Sequence, residues 1–318
     1  MRIDVIGGGA IGLLFGGRLA EAGADVRIWT RTSEQSAELA EDGIELHPLD
    51  GSAARAVRVK SSWIGNAGQH IKDENGTGRT VLLTVKQTDV DEQLLERLAM
   101  IACPVSTLIV SLQNGVGHLE RIKSRTGEAP VLAAVTTEGA RRLGPRSVRH
   151  TGSGDTWLGP WKENEGKADH MLENQQKMLV SMLQSAGFAS SLSKEMESLI
   201  LRKLMINAVI NPLTALFDVT NGELPQHPAR KRLMKALLTE TETVLRAAGM
   251  KIREDGWRLI EEVCERTGGN VSSMLSDVRA GRKTEIDSIN GQIVRMAENL
   301  LLAAPLNQAI VELVHALD

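Results

Sequence analysis

The sequence predicts an α/β protein in two parts, an N-terminal domain on a mostly parallel sheet followed by an all-helical C-terminal domain. Three observations carry this reading. Short β-branched runs alternate with helical patterns through the first half, as in βαβ units. A glycine-rich turn stands between the first strand and the first helix. From about Lys194 onward no convincing strand occurs, and stretches of helix formers are separated by turn signals at Asn221-Gly222, His227-Pro228 and Gly268-Gly269. The boundary is drawn near residue 193, giving domains over 1–193 and 194–318.

In order, Ile3 to Ile6 reads as the first strand, Ala10 to Ala22 as a helix and Asp25 to Trp29 as the second strand. The polar, glycine-containing segment from Ser61 to Gly78 reads as a surface excursion. Thr80 to Val85, Thr107 to Ser111 and, after another helical stretch, Val131 to Val135 read as further strands. Arg146 to Leu158 has the short runs and glycines of edge strands, and Phe188 to Leu192 reads as the last strand. No role is legible for Trp161 to His170.

Composition narrows the function classes. With 37 basic against 40 acidic side chains in 318 residues, no charge excess marks a nucleic-acid or membrane surface. The most apolar stretch, Leu199 to Leu216, carries Arg202, Lys203, Asn207 and Asn211, which a membrane span would not hold without cause. Cys103 and Cys264 cannot form a disulfide framework in so long a chain, so a reducing, cytoplasmic setting is expected. The 7 histidines are scattered, so no metal site is expected. Surface composition is ordinary and no heptad seam occurs, which leaves monomer and homodimer both open.

Gly7, Gly9 and Gly12 have G-x-G-x-x-G spacing, directly after a strand and opening a helix with Ala10 and Ile11. The first glycine permits the tight turn, the second lets backbone approach a pyrophosphate, and the third allows close helix-to-strand packing. The helix N-terminus adds unpaired N–H groups and partial positive charge. This predicts a Rossmann-type dinucleotide site. At the end of the second strand, where an NAD enzyme usually places an acid, the chain reads Trp29-Thr30-Arg31-Thr32. The Arg31 guanidinium suits a 2′-phosphate, with Thr30 and Thr32 as further hydroxyl donors, so NADP (as NADPH) is the expected cofactor.

Lys203, Asn207 and Asn211 recur every four residues within an apolar segment. On a helix they form one stripe that drifts by about 40° per step. A lysine and two amides in a core need partners, supplied either by neighbouring backbone or by a bound polar ligand. An ammonium and amides suit the carboxylate and carbonyl oxygens of a 2-oxo acid. Glu285, following Thr284, reads locally as an acid in the first turn of a capped helix. Asn114-Gly115 reads either as a simple turn or as a ligand loop at the carboxyl end of a strand.

Taken together, the glycine loop, Thr84-Val85-Lys86, Gln113 to Gly117, Thr136 to Ala140, Arg202-Lys203-Leu204, Asn207, Asn211 to Ala215, Asn221-Gly222-Glu223, Ser272-Ser273-Met274 and Thr284 to Gly291 resemble the successive signatures of the ketopantoate reductases. The resemblance runs from end to end. It implies a Rossmann domain plus a helical domain with the site in the cleft between them, and NADPH-dependent reduction of ketopantoate to pantoate. It further implies Lys203 as general acid with Glu285 beside it, and Asn114, Asn207, Asn211, Asn221 and Ser273 at the substrate. The cofactor falls to the glycine loop, Arg31, Lys86 and Asn114. Two other readings stay open: a reductase of a different 2-oxo acid on the same plan, and a protein that binds NADP without turnover.

Overall fold

The computed structural model describes residues 2–70, 78–102, 107–115, 117–161, 170–251 and 255–317. Its contacts divide the chain into two compact units, residues 1–113 with 117–196, and 114–116 with 197–318. The short segment after the Thr107–Ser111 strand thus groups with the helical unit, a discontinuity that a single cut near residue 193 does not contain.

The first unit runs β1 (Arg2–Ile6), α1 (Ala10–Glu21), β2 (Asp25–Thr30), α2 (Ser33–Asp42), β3 (Ile44–His47), β4 (Arg55–Val57), β5 (Lys60–Trp63), α3 (Ala67–His70), β6 (Arg79–Leu83) and α4 (Glu92–Ile101). It continues with β7 (Thr107–Ser111), α5 (His118–Thr126), β8 (Val131–Thr136), β9 (Gly139–Arg142), β10 (Ser147–Gly152), β11 (Asp155–Gly159), α6 (His170–Ser185) and β12 (Ala189–Leu192). Eight strands form one sheet in the order β12-β11-β8-β7-β6-β1-β2-β5, parallel except for the β8–β11 pair. The central strands are buried along their length, which is why they read as continuous apolar runs. Asp4, fully buried in β1, accepts from Trp29 Nε1 at 2.7 Å and faces Arg2 (3.2 Å) and Arg79 (3.3 Å). Strand order reverses beside β1, so the turn Gly7–Gly9 leaves the sheet where open α/β sheets bind ligands.

Two readings need correction. The start of the Ser61–Gly78 segment is not an excursion: β5 pairs in parallel with β2, and a helical turn at Ile64–Asn66 leads into α3. Residues 71–77 lie outside the described residues, as do Cys103, Val116 and 162–169. The edge-strand reading of Arg146–Leu158 also fails. β10 lies inside a second, four-stranded sheet of order β4-β3-β10-β9, and β11 lies between β8 and β12. Their short runs reflect a chain that crosses from one sheet to the other. The polar helix α2 was not foreseen; Thr32 caps it by accepting from Gln35 N–H at 3.3 Å.

Among its described residues the second unit has no strand, and its α-helices are α7 (Met196–Phe217), α8 (Pro228–Ala247), α9 (Gly256–Arg266), α10 (Ser273–Arg279), α11 (Asn290–Asn299) and α12 (Pro305–His315). α7 is long and apolar enough to span a membrane, yet most of it is buried inside the protein. His227-Pro228 is the N-cap and first residue of α8. The Asn221-Gly222 and Gly268-Gly269 signals meet. Gly222 N–H donates to Gly268 O at 3.0 Å, and a Cβ on Gly222 would stand 2.7 Å from Gly268 Cα.

Candidate active site

In the first unit the glycine turn has the shape a pyrophosphate needs. Gly7 has φ +120°, a conformation that L side chains rarely adopt. A Cβ on Gly12 would stand 1.9 Å from Gly7 O, so only glycine lets α1 start this close to β1. A Cβ on Gly9, the N-cap of α1, would meet nothing within 4 Å, and no side chain caps the helix. The first turn, with Ala10 and Ile11, therefore presents backbone N–H groups to open space, as a phosphate group requires. Thr84 Oγ1 braces the turn from β6, within 3.0 Å of Ile6 O and 3.2 Å of Gly7 O.

Arg31 follows β2 with its side chain 83% exposed and its NH1 3.5 Å from Asp89 Oδ1. Its guanidinium is accessible to a 2′-phosphate, while Asp89 competes for it. Thr30 is not available as a donor: it is fully buried and its hydroxyl donates to Thr32 O at 2.7 Å. Lys86 is half-buried and leads the turn Gln87–Asp89.

A buried polar chain ties the loops after β6 and β7. Gln87 Nε2 donates to His118 Nδ1 (2.5 Å), and His118 Nε2 donates to Ser111 Oγ (3.0 Å). Ser111 donates to Gln113 Oε1 (3.1 Å), whose Nε2 donates to Val85 O (3.0 Å). Burial drives the His118 pKa from 6.5 down to about 4, which keeps the ring neutral, with one nitrogen to accept and one to donate; the Gln87 amide N–H selects Nδ1 as the acceptor.

The second unit holds the titratable centre. α7 carries Lys203, Asn207 and Asn211 at four-residue spacing, as the stripe predicts. Desolvation by the surrounding apolar helix pushes the Lys203 pKa from 10.5 down to about 8, against the opposing pull of the Glu285 carboxylate. Glu285, 8% exposed, accepts from Asn114 Nδ2 at 3.3 Å. It precedes a single helical turn, Ile286–Ser288, and makes no capping bond through its side chain. Glu285 thus stands ahead of that turn and not within its first turn, and Lys203, Glu285 and Asn114 stand as one electrostatic group.

Asn207 and Asn211 make no side-chain hydrogen bond with the described residues, although Asn211 is only 8% exposed. Neither amide is among the buried polar atoms left without a partner, so their polar ends are open to water or to a ligand. Asn221 is differently placed: its Nδ2 donates to Thr267 Oγ1 at 2.9 Å, and only its buried Oδ1 lacks a partner. Ser273 is exposed at the first position of α10. Its neighbour Ser272 caps that helix through Leu275 N–H at 3.1 Å and meets Thr214 Oγ1 at 2.7 Å. Trp161 Nε1 donates to Glu120 Oε1 at 3.1 Å. Cys264 is a free, buried thiol whose pKa burial raises to about 11, so it is not a nucleophile.

Comparison with known proteins agrees with this arrangement. The family described as ketopantoate reductase PanE/ApbA matches residues 3–163, and its C-terminal counterpart matches residues 195–318. The 2-dehydropantoate 2-reductase of Salmonella typhimurium (strain LT2) is 31% identical over 315 residues, covering 99% of this chain and 94% of its own. Among solved structures, a PanE/ApbA family ketopantoate reductase from Ralstonia eutropha JMP134 superposes with a TM-score of 0.84 at 26% identity, covering 100% of this chain and 98% of its own. A ternary structure of D-mandelate dehydrogenase with NADH and anilino(oxo)acetate gives 0.87 at 25% identity, with the same coverage. With both halves matched in order, the chain belongs to the ketopantoate reductase family.

Proposed function

We propose that the chain reduces ketopantoate (2-dehydropantoate) to pantoate with NADPH, a cytoplasmic step toward pantothenate and coenzyme A, with Lys203 as the proton donor. The observation that carries this reading is the desolvated Lys203 ammonium on one helical stripe with two amides that have no side-chain hydrogen bond among the described residues. NADPH, when bound, supplies the hydride. The Gly7–Gly12 turn and the N-terminus of α1 would hold its pyrophosphate, and Arg31 its 2′-phosphate, with Lys86 close to the same strand ends.

As a ketone accepts hydride, negative charge develops on its oxygen. A cationic donor aimed there stabilises the transition state more than the ground state. With a pKa of about 8, Lys203 is largely protonated at neutral pH yet gives up its proton far more readily than an exposed lysine. The Glu285 charge opposes further loss of the proton from Nζ, and Asn114 holds that carboxylate in place. Asn207 and Asn211 offer N–H donors for the substrate carboxylate and hydroxyl oxygens.

A second reading, reduction of a different 2-oxo acid, is favoured by the likeness to a dehydrogenase solved with an oxo-acetate ligand. NADPH absorbance followed with ketopantoate and a panel of other 2-oxo acids separates the two. The expected result is a specificity constant for ketopantoate at least roughly tenfold above the rest, as a site built to hydrogen-bond its substrate gives. A higher value for another 2-oxo acid overturns the substrate assignment. Absence of any turnover favours a protein that only binds NADP.

A further inference from the structure

Pro212 inside α7 and Asn290 at the start of α11 have no part in the chemistry above. In an α-helix the N–H of residue i serves the carbonyl of residue i−4, so Pro212, which has no N–H, leaves the carbonyl of Ala208 without its helical donor. Ala208 is fully buried, and water cannot make up the loss. Asn290 does. Its Nδ2 donates to Ala208 O at 2.9 Å and to Asn307 Oδ1 at 3.0 Å, two acceptors that fix which way its amide faces.

The replacement donor is itself anchored. Asn290 and Asn307 are fully buried, and Asn307 Nδ2 donates to Glu240 Oε1 at 2.9 Å. The Glu240 carboxylate also accepts the N–H groups of Leu306 (3.0 Å) and Asn307 (2.7 Å) at the N-terminal end of α12. One turn further along α7, Thr214 Oγ1 lies 2.9 Å from both Ile210 O and Asn211 O and is met by Ser272 Oγ at 2.7 Å. The proline break is thus held from outside the helix, at a residue that lies between Asn207 and Asn211.

We propose that Asn290 is a positioning residue: its side-chain amide replaces the N–H that Pro212 withholds from Ala208, and so fixes the direction of the turn bearing Asn207 and Asn211 relative to the turn bearing Lys203. This rests on the reading that those residues meet the substrate. An Asn290 that merely fills the core has no special link to Pro212. An Asn290 that stands in for a missing backbone donor becomes dispensable to Ala208 O, and so to the direction of this turn, once residue 212 regains its N–H.

The test is a double-mutant cycle on the full chain with Asn290→Leu, Pro212→Ala and both together, reading kcat, the KM for ketopantoate, the KM for NADPH and the melting temperature. In the parent, Asn290→Leu is expected to raise the KM for ketopantoate about tenfold and to leave that for NADPH within about twofold. In the Pro212→Ala background the same change should have at most about a twofold effect. Equal effects in the two backgrounds overturn the proposal, as does a lowered melting temperature with an unchanged KM for ketopantoate. If Asn290→Leu alone is insoluble, soluble protein from the double variant supports the pairing and an insoluble double variant refutes it. A parent without ketopantoate turnover refutes the functional reading instead. The cycle is then read on melting temperature, where additivity refutes the pairing and suppression by Pro212→Ala supports it.

Discussion

Replacing Lys203 by alanine lowers kcat for ketopantoate reduction by roughly 10²- to 10⁴-fold, the range for loss of a positioned acid catalyst. NADPH affinity is expected to stay within about twofold, because the glycine turn, Arg31 and Lys86, which are assigned to its phosphates, lie in the other unit of the chain. The size of the effect follows from the surroundings of Lys203. α7 is apolar on nearly every side, so the neighbouring side chains offer little to a charge developing on a ketone oxygen beside Lys203 other than the ammonium itself. Lys203→Arg keeps the charge but not the transferable proton, since a guanidinium does not deprotonate in this pH range. It should recover binding and little of kcat. A Lys203→Ala variant within threefold of the parent removes Lys203 from the mechanism.

Glu285→Ala is expected to lower kcat/KM for ketopantoate by roughly 10- to 100-fold, the loss of one charge-assisted contact together with its orienting effect. Two consequences separate this from a structural defect. The Glu285 charge raises the Lys203 pKa, so its removal lets burial push that pKa still lower, and the alkaline loss of activity should begin at a lower pH than in the parent. The Asn114 amide also loses its acceptor, so the KM for ketopantoate should rise along with the fall in kcat. A variant that melts earlier with normal kinetics and an unmoved pH profile shows that Glu285 serves only the fold.

How much of this was legible in the chain depended on where each signal is stored. The central strands are buried on both faces, and that writes itself into the sequence as apolar runs; the glycine turn is equally explicit, because Gly7 and Gly12 meet steric limits only glycine passes. β5 escaped because Lys60-Ser61-Ser62-Trp63 has no apolar pattern. It is ordered by its ladder with β2 and by Ser61 Oγ donating to Ile28 O at 3.2 Å. The small sheet escaped because several of its strands are only three or four residues long.

The same logic sorts the site. Polar residues every four positions in an apolar helix announce themselves, so the Lys203 stripe was readable. Glu285 was not, because its neighbours Thr284 and Asp287 make an ordinary helix start, and its partner Asn114 lies 171 residues away. Asp89 meets Arg31 from 58 residues away, His118 meets Gln87 from 31, and Asn290 meets Ala208 from 82. Such pairings are created by the fold. Only the resemblance to a family pointed to Glu285, and nothing in the sequence pointed to Asp89 or to the role of His118.

Central to the account is an ammonium that titrates near pH 8 because it is desolvated, and whose proton completes the reduction. Since the acid form is the active one, kcat/KM for ketopantoate should be level at lower pH and fall about tenfold per pH unit above pH 8, a limb that belongs to the free enzyme. The most direct measurement is that profile at fixed NADPH, recorded for the parent and for Lys203→Ala. The predicted result is a limb near pH 8 in the parent and its absence in the variant. A parent profile that stays flat to about pH 10, where an ordinary solvated lysine still holds its proton, contradicts it.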